Sequence, residues 1–156
     1  MLKIYLIILI TFFSFSHVNA KETMLTEGFN HVGLTVTDLT ASSDFFTETL
    51  GWNKVGENKK YPATFVSDGK MLLTLWQATT PDTAIKFNRK NNVGLHHLAI
   101  SAASFEALEE IYQRVKKVKG VVIEFAPELA FGGPGKHMMI REPSGNRLEF
   151  IFKPKP

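Results

Sequence analysis

Imidazoles and carboxylates must carry whatever chemistry this chain performs, because it has five histidines and no cysteine. The missing thiols exclude a cysteine nucleophile, a thiolate metal site and a lipid-modified cysteine. Two histidines are neighbours, His96 and His97, inside "GLHHLAIS". That stretch reads as a strand, and adjacent strand residues point to opposite faces, so only one ring of the pair serves a given site. Overlaying "NHVGL" on "HHLAI" puts His97 in the place of His31, and Val32, Leu34 and Val36 match Leu98, Ile100 and Ala102 as an apolar, helix-facing set. His96 falls with the helix-side residues and is set aside. In "RLEFIF", Leu148, Phe150 and Phe152 form the apolar face, which leaves Glu149 on the other side with Arg147 and Ile151. A carboxylate in such surroundings wants a cation or a metal. His31, His97 and Glu149 together form a ligand set suited to a divalent ion, with coordination positions left open for a substrate.

The elements that must position these residues repeat once along the chain. "FNHVGLTVTDLTASSDFFTETLGW" starts with a strand, Phe29–Val36, followed by a helix from near Thr40 to Leu50 that Gly51 stops. "GLHHLAISAASFEALEEIYQRVKKVKG" repeats the arrangement, with a strand over Leu95–Ala102 and a helix over Ser104–Lys119. Phe105, Leu108, Ile111, Tyr112, Val115 and Val118 make that helix's apolar stripe, and Gly120 ends it. Short extended segments follow each helix: Trp52–Gly56, Thr64–Ser67 and Met71–Gln77, then Val121–Glu124, His137–Arg141 and Arg147–Phe152. Each half therefore reads strand–helix–strand–strand–strand. A sheet covered on one side only needs the second copy to complete its core. The expected fold is α+β with two similar modules, about residues 28–80 and 93–153, in one domain over 28–153.

Residues 1–20, "MLKIYLIILITFFSFSHVNA", have a lysine, a short apolar run and a small-residue end, the pattern of a signal peptide cut near Ala20. The alternative is a retained membrane anchor, and the run falls short of the apolar length a spanning helix needs, which favours the cleaved signal. The expected location is periplasmic or secreted, with no stable membrane insertion after cleavage. A net charge of +3 without a basic run gives no reason to expect nucleic acid.

At these residues the chain resembles the vicinal oxygen chelate superfamily, also called the glyoxalase/bleomycin-resistance/dioxygenase family. "NHVGLTVTDL", "FFTETLGW", "HHLAIS" and above all "REPSGNRLEF" carry the resemblance, with Glu142 where aspartate is usual. It implies paired βαβββ modules forming a cupped mixed sheet with helices on the outer face, around one divalent metal held by His31, His97 and Glu149. It also implies a homodimer. The activity implied is that of a lyase, isomerase or transferase on a small substrate that chelates the metal through neighbouring oxygens. Two alternatives stay open: an Fe(II) extradiol-type dioxygenase, and a metal-free drug-binding protein of the bleomycin-resistance type.

Pairing "DGKMLLTL" with "SGNRLEFI" places Leu73 where glyoxalase I-like members carry a fourth ligand, and Met139 stands where extradiol dioxygenases carry a tyrosine. Outside a reducing cytosol, Zn or Mn is favoured over Fe, Ni or Co. Glu149 and His137 are the catalytic candidates, His137 because it sits on a neighbouring strand and titrates in the useful range. Thr35, Leu73, Met139 and Arg141 are the candidate pocket residues, with Arg141 and Lys136 able to hold an anionic group. "FGGPGK", residues 131–136, reads as a flap or as a plain connection.

Overall fold

A computed structural model of the chain describes residues 25–155. The expected signal peptide over residues 1–20 lies outside the described residues. Among the described residues no helix is long and apolar enough to cross a membrane.

The first module runs β1 (His31–Val36), α1 (Leu39–Asp44), β2 (Asn53–Asn58), β3 (Ala63–Ser67) and β4 (Leu72–Gln77). The second runs β5 (Leu98–Ser101), α2 (Phe105–Val115), β6 (Val122–Leu129), β7 (Lys136–Arg141) and β8 (Arg147–Phe152). Each forms a four-stranded mixed sheet, ordered β1-β4-β3-β2 and β5-β8-β7-β6. The first strand of each pairs parallel with the last, and the rest of the ladder is antiparallel. The fold is thus α+β, two βαβββ modules. Both helices begin on a side-chain cap: Asp38 accepts from the Ala41 amide at 2.9 Å and Ser104 from the Ala107 amide at 3.0 Å. Beyond the helical segments lie Gly51 and Gly120, with φ of +77° and +86°, a backbone region open to glycine at little cost.

The first helical segment covers the stretch expected of it, residues 39–49, but not all of it is α-helix. After Asp44 it widens into a π-helical turn over Phe45–Thr49, and both Phe45 and Phe46 are buried. Phe46 packs against Trp52 with ring centres 5.2 Å apart. Strand β5 also starts later than expected, at Leu98, so the histidine doublet lies on the approach to the strand. Strand β6 runs on to Leu129 through two irregularities in its pairing with β7.

One core serves both modules. Leu34, Val36, Leu73 and Leu75 of the first join Leu98, Ile100, Leu148 and Phe150 of the second, with Leu108 and Val115 of α2. The modules are also tied by a buried carboxylate. Glu142 is fully buried and accepts from Ser42 Oγ of α1 at 2.7 Å, from the Ser144 and Asn146 amides, and from Asn146 Nδ2. Those four donors make a buried charge tolerable and clamp the β7–β8 turn to the first module. Asn146 Nδ2 donates to the Thr35 carbonyl at 2.9 Å, and the Thr37 amide donates to Ser144 Oγ at 3.0 Å.

Candidate functional site

Alternation along β8 turns Leu148 and Phe150 into the core and leaves Glu149 on the opposite face. The ladder sets Glu149 beside Ala99 of β5 and Met139 of β7. Two imidazoles reach it, one to each oxygen. His97 Nε2 lies 3.1 Å from Oε2, and His137 Nδ1 lies 2.5 Å from Oε1. The Glu149 side chain is 13% exposed, His137 8% and His97 33%, so the cluster opens to solvent on the His97 side. The His137 ring is flanked by Phe125 at 5.0 Å and Phe131 at 6.0 Å.

His96, set aside on sequence grounds, belongs to this network. Its Nδ1 lies 2.8 Å from His97 Nδ1, so one of the two nitrogens must carry the shared proton. Loss of hydration, followed by the charges of Arg147 and His97, holds the His96 imidazole below its usual titration range. A neutral His96 is the form able to accept or donate along this contact.

His31 is not brought to the cluster. It begins β1, exposed, with Nδ1 2.8 Å from the side-chain oxygen of Asn30. The modules are clamped at the other end of the strand, at Thr35 and Thr37. Four residues of strand put His31 about 13 Å from that clamp. Among the described residues no three His, Cys, Asp or Glu side chains are grouped to hold a metal ion. His97 and Glu149 nevertheless suit a shared ion. Two ligand atoms each ~2.1 Å from one metal, at angles between octahedral and tetrahedral, stand about 3.0–3.4 Å apart. Their 3.1 Å separation falls in that interval. His137 then holds the other carboxylate oxygen, and His96 the other ring nitrogen of His97, as outer partners of ligands commonly do.

The pocket candidates divide. Leu73 faces the core and is fully buried, so it lines no site. The ladder pairs Val32 with Leu73 and Leu98 with Leu148, which puts Thr74, not Leu73, at the position equivalent to Glu149. One more residue separates turn and strand in the first module (Gly69 to Thr74 against Gly145 to Glu149), and a gapless overlay of the two turns misses it. Thr74 Oγ1 accepts from Trp76 Nε1 at 2.9 Å, and it donates to the Val32 carbonyl at 3.3 Å. Met139 is buried next to Glu149 in the ladder. Thr35 and Arg141 both line a cavity of about 700 Å³ between the modules, under the linker that joins β4 to β5. Lys136 lies at the far end of β7 from Arg141, over the Phe105 ring, so the two do not share a ligand. The 131–136 segment is the β6–β7 connection up to residue 135, with Lys136 already in β7, and it is closed by the Ala130 amide donating to the Gly135 carbonyl at 2.8 Å.

A group that the sequence did not reveal stands next to this cavity. Glu124 binds Arg141 Nε at 2.9 Å and Arg147 Nε at 2.7 Å, with Arg89 3.7 Å away. Burial opposes the Glu124 charge, but the Arg147 hydrogen bond and the charges of Arg147, Arg141 and Arg89 outweigh it and hold the carboxyl below its usual range. The irregularity between Ile123 and Phe125 sets Glu124's side, and nothing in "VVIEFAPEL" announces it.

The sequence from residue 28 to 150 matches the model of the Glyoxalase/Bleomycin resistance protein/Dioxygenase superfamily. The chain belongs to that superfamily. Solved structures with the same fold include a glyoxylase/bleomycin resistance protein/dioxygenase domain from Frankia sp. EAN1pec, at 24% identity and a TM-score of 0.68, covering 83% of this chain and 94% of that one. A lactoylglutathione lyase from Agrobacterium tumefaciens matches at 20% identity and a TM-score of 0.61, covering 83% and 96%. The genomically encoded fosfomycin resistance protein FosX from Listeria monocytogenes matches at 17% identity and 0.65, again covering 83% and 96%. Comparison with curated protein sequences gave no match. At these identities the likeness to this superfamily's structures establishes the fold of the chain and leaves its reaction to the site itself.

Proposed function

We propose that the protein is a secreted or periplasmic divalent-metal enzyme of the glyoxalase-like kind, a lyase, isomerase or transferase acting on a small molecule with two neighbouring oxygens. The observation that carries this reading is the His97–Glu149 pair, set at a separation that suits a shared ion and braced on both sides by imidazoles. Zn or Mn suits the nitrogen and carboxylate donors. The ion would supply Lewis-acid polarisation of the substrate's oxygens. His137 holds the carboxylate with Nδ1, so any proton it exchanges with a substrate passes through Nε2. Glu149 presents Oε2 to the site while Oε1 stays with His137.

The third ligand in this reading is His31 of a second copy of the chain. His31 is exposed, and if its Nδ1 proton goes to Asn30, the Nε2 lone pair is left for a metal. A homodimer then has two sites, each drawing on both copies. The test is mixing. His31→Ala and His97→Ala chains should each purify without metal, and after co-refolding in equal amounts should regain about a quarter of the wild-type metal, because half of the dimers are mixed and each mixed dimer has one intact composite site of two. Full metal in either single variant would refute the reading. A second reading, a metal-free module that binds a small molecule, is favoured by the lack of a three-ligand group within one chain among the described residues. Elemental analysis of the natively purified protein separates the two.

A further inference from the structure

We propose that the cavity between the modules binds a small organic acid, an apolar body carrying one carboxylate or phosphate, with Arg141 and Arg147 taking the oxyanion. This names a substrate class for the enzyme above, and it rests on that reading only for what happens to the ligand after binding.

Three guanidinium groups converge on the single carboxylate of Glu124. One negative charge among three positive ones leaves the cluster cationic, and the Arg147 side chain is only 7% exposed. Surplus charge in such a place is costly until an anion meets it. Arg141 and Arg147 line the cavity together with Lys86, against one acidic side chain in the wall, Asp82. Each guanidinium has five N–H groups in a planar fork. Arg141 uses Nε on Glu124 and one Nη1 hydrogen on the Phe87 carbonyl, and Arg147 uses Nε on Glu124 with a long 3.5 Å contact to His96. No buried side-chain nitrogen or oxygen among the described residues is without a partner, so the Nη2 atoms of Arg141 and Arg147, which bond to nothing among those residues, are not fully enclosed. The rest of the wall includes half-buried Phe87 and the exposed side chains of Ile85, Val93 and Leu95. An inorganic anion would leave those side chains facing water, whereas about 700 Å³ suits a whole organic molecule. Arg147 and Glu149 lie on one face of β8 two residues apart, roughly 7 Å. His97 and Glu149 do not line the cavity, so a ligand that also reached them would extend beyond it along β8.

Calorimetric titration of the full chain, without added metal, with 4-phenylbutyrate, its neutral amide and phenyl phosphate tests this. Expected is binding of the carboxylate at least about tenfold tighter than the amide, the difference made by a charge-assisted guanidinium contact. Arg141→Gln should lose about tenfold for the carboxylate, Arg141→Lys should recover part of it, and 0.5 M NaCl should weaken it. Binding of phenyl phosphate alone would keep the oxyanion site and assign it to phosphate monoesters. Equal affinity for acid and amide, unchanged binding in folded Arg141→Gln, or no binding of any of the three would overturn the inference. The titration is run without added metal, so carboxylate binding and metal content by elemental analysis are separate results, and failure of the metal reading is told apart from failure of this one.

Discussion

The two modules share one backbone plan and differ at the positions that face away from the core. Ladder register makes the comparison residue by residue. Where the second module has Arg147, Glu149 and Ile151 on its last strand, the first has Leu72, Thr74 and Trp76. Where the second has His137, Met139 and Arg141, the first has Ala63, Phe65 and Ser67. The first module's face is built on aromatics, with Trp76 stacked near Tyr61 and Phe65 at 5.0 and 5.8 Å. The second carries the carboxylate, the imidazoles and the guanidinium cluster. The core faces stay alike because both must bury the same kind of surface. The outer faces are free to diverge, so one module holds the charged groups while the other has an aromatic wall and the exposed His31.

This contrast has testable consequences, beginning with the largest. If the protein is the metal enzyme proposed, Glu149→Ala should remove its metal entirely, whereas Thr74→Ala, at the matching position, should leave it in place. Elemental analysis of both variants checks this, and metal loss in Thr74→Ala would show that the first module supplies more than His31. Next, Leu73→Ala and Leu148→Ala should each destabilise the fold by about 2–5 kcal/mol, because both are fully buried at equivalent core positions. Denaturant unfolding reads this, and a large effect from only one of them would mean that the modules do not share a core.

Smaller still is the acid response. Glu124 has its folded-state affinity for protons lowered, so its contribution to stability is present above its ordinary value of 4.5 and is lost as pH falls through the folded value. Glu124→Gln should lower stability at neutral pH by about 1–3 kcal/mol, the range for stranding charged partners, and should flatten the acid limb of the stability curve. Glu57 in the first module is shifted in the same direction by Lys54 and Lys59, but it is an exposed residue. Glu57→Gln should move neither the midpoint nor the acid limb measurably. An equal acid response from both variants would erase the contrast between a half-buried and a solvated ion cluster.

Much of the frame was legible along the chain. The final strand, Arg147–Phe152, runs over the residues expected of it, and the strand–helix–strand–strand–strand repeat is the observed order of elements. Alternation placed His97 and Glu149 on one face, and they meet. It also picked out His137, whose contact with Glu149 is shorter still. Alternation misjudged His96, because the doublet lies before the strand begins and is not bound by its two-fold period. It missed Glu124, because an irregularity in β6 resets which side a residue faces. It set Leu73 in the wrong role, because one extra residue between turn and strand shifts the overlay by one, and one residue is enough to reverse the face.

What the amino-acid order determined by itself was local: where strands and helices form, which side of each is apolar, and which residue types are present to do chemistry. Those follow from the two-residue and 3.6-residue periods of the backbone and from caps and glycines a few positions away. Only the tertiary structure decided that the β7–β8 turn clamps to the end of β1 away from His31, that three arginines share Glu124, and that His97 and Glu149 meet without His31 in one chain. Those outcomes depend on how distant segments pack and on where ladders slip by a residue. Such free energies are summed over many long-range contacts and leave no periodic trace in any single stretch.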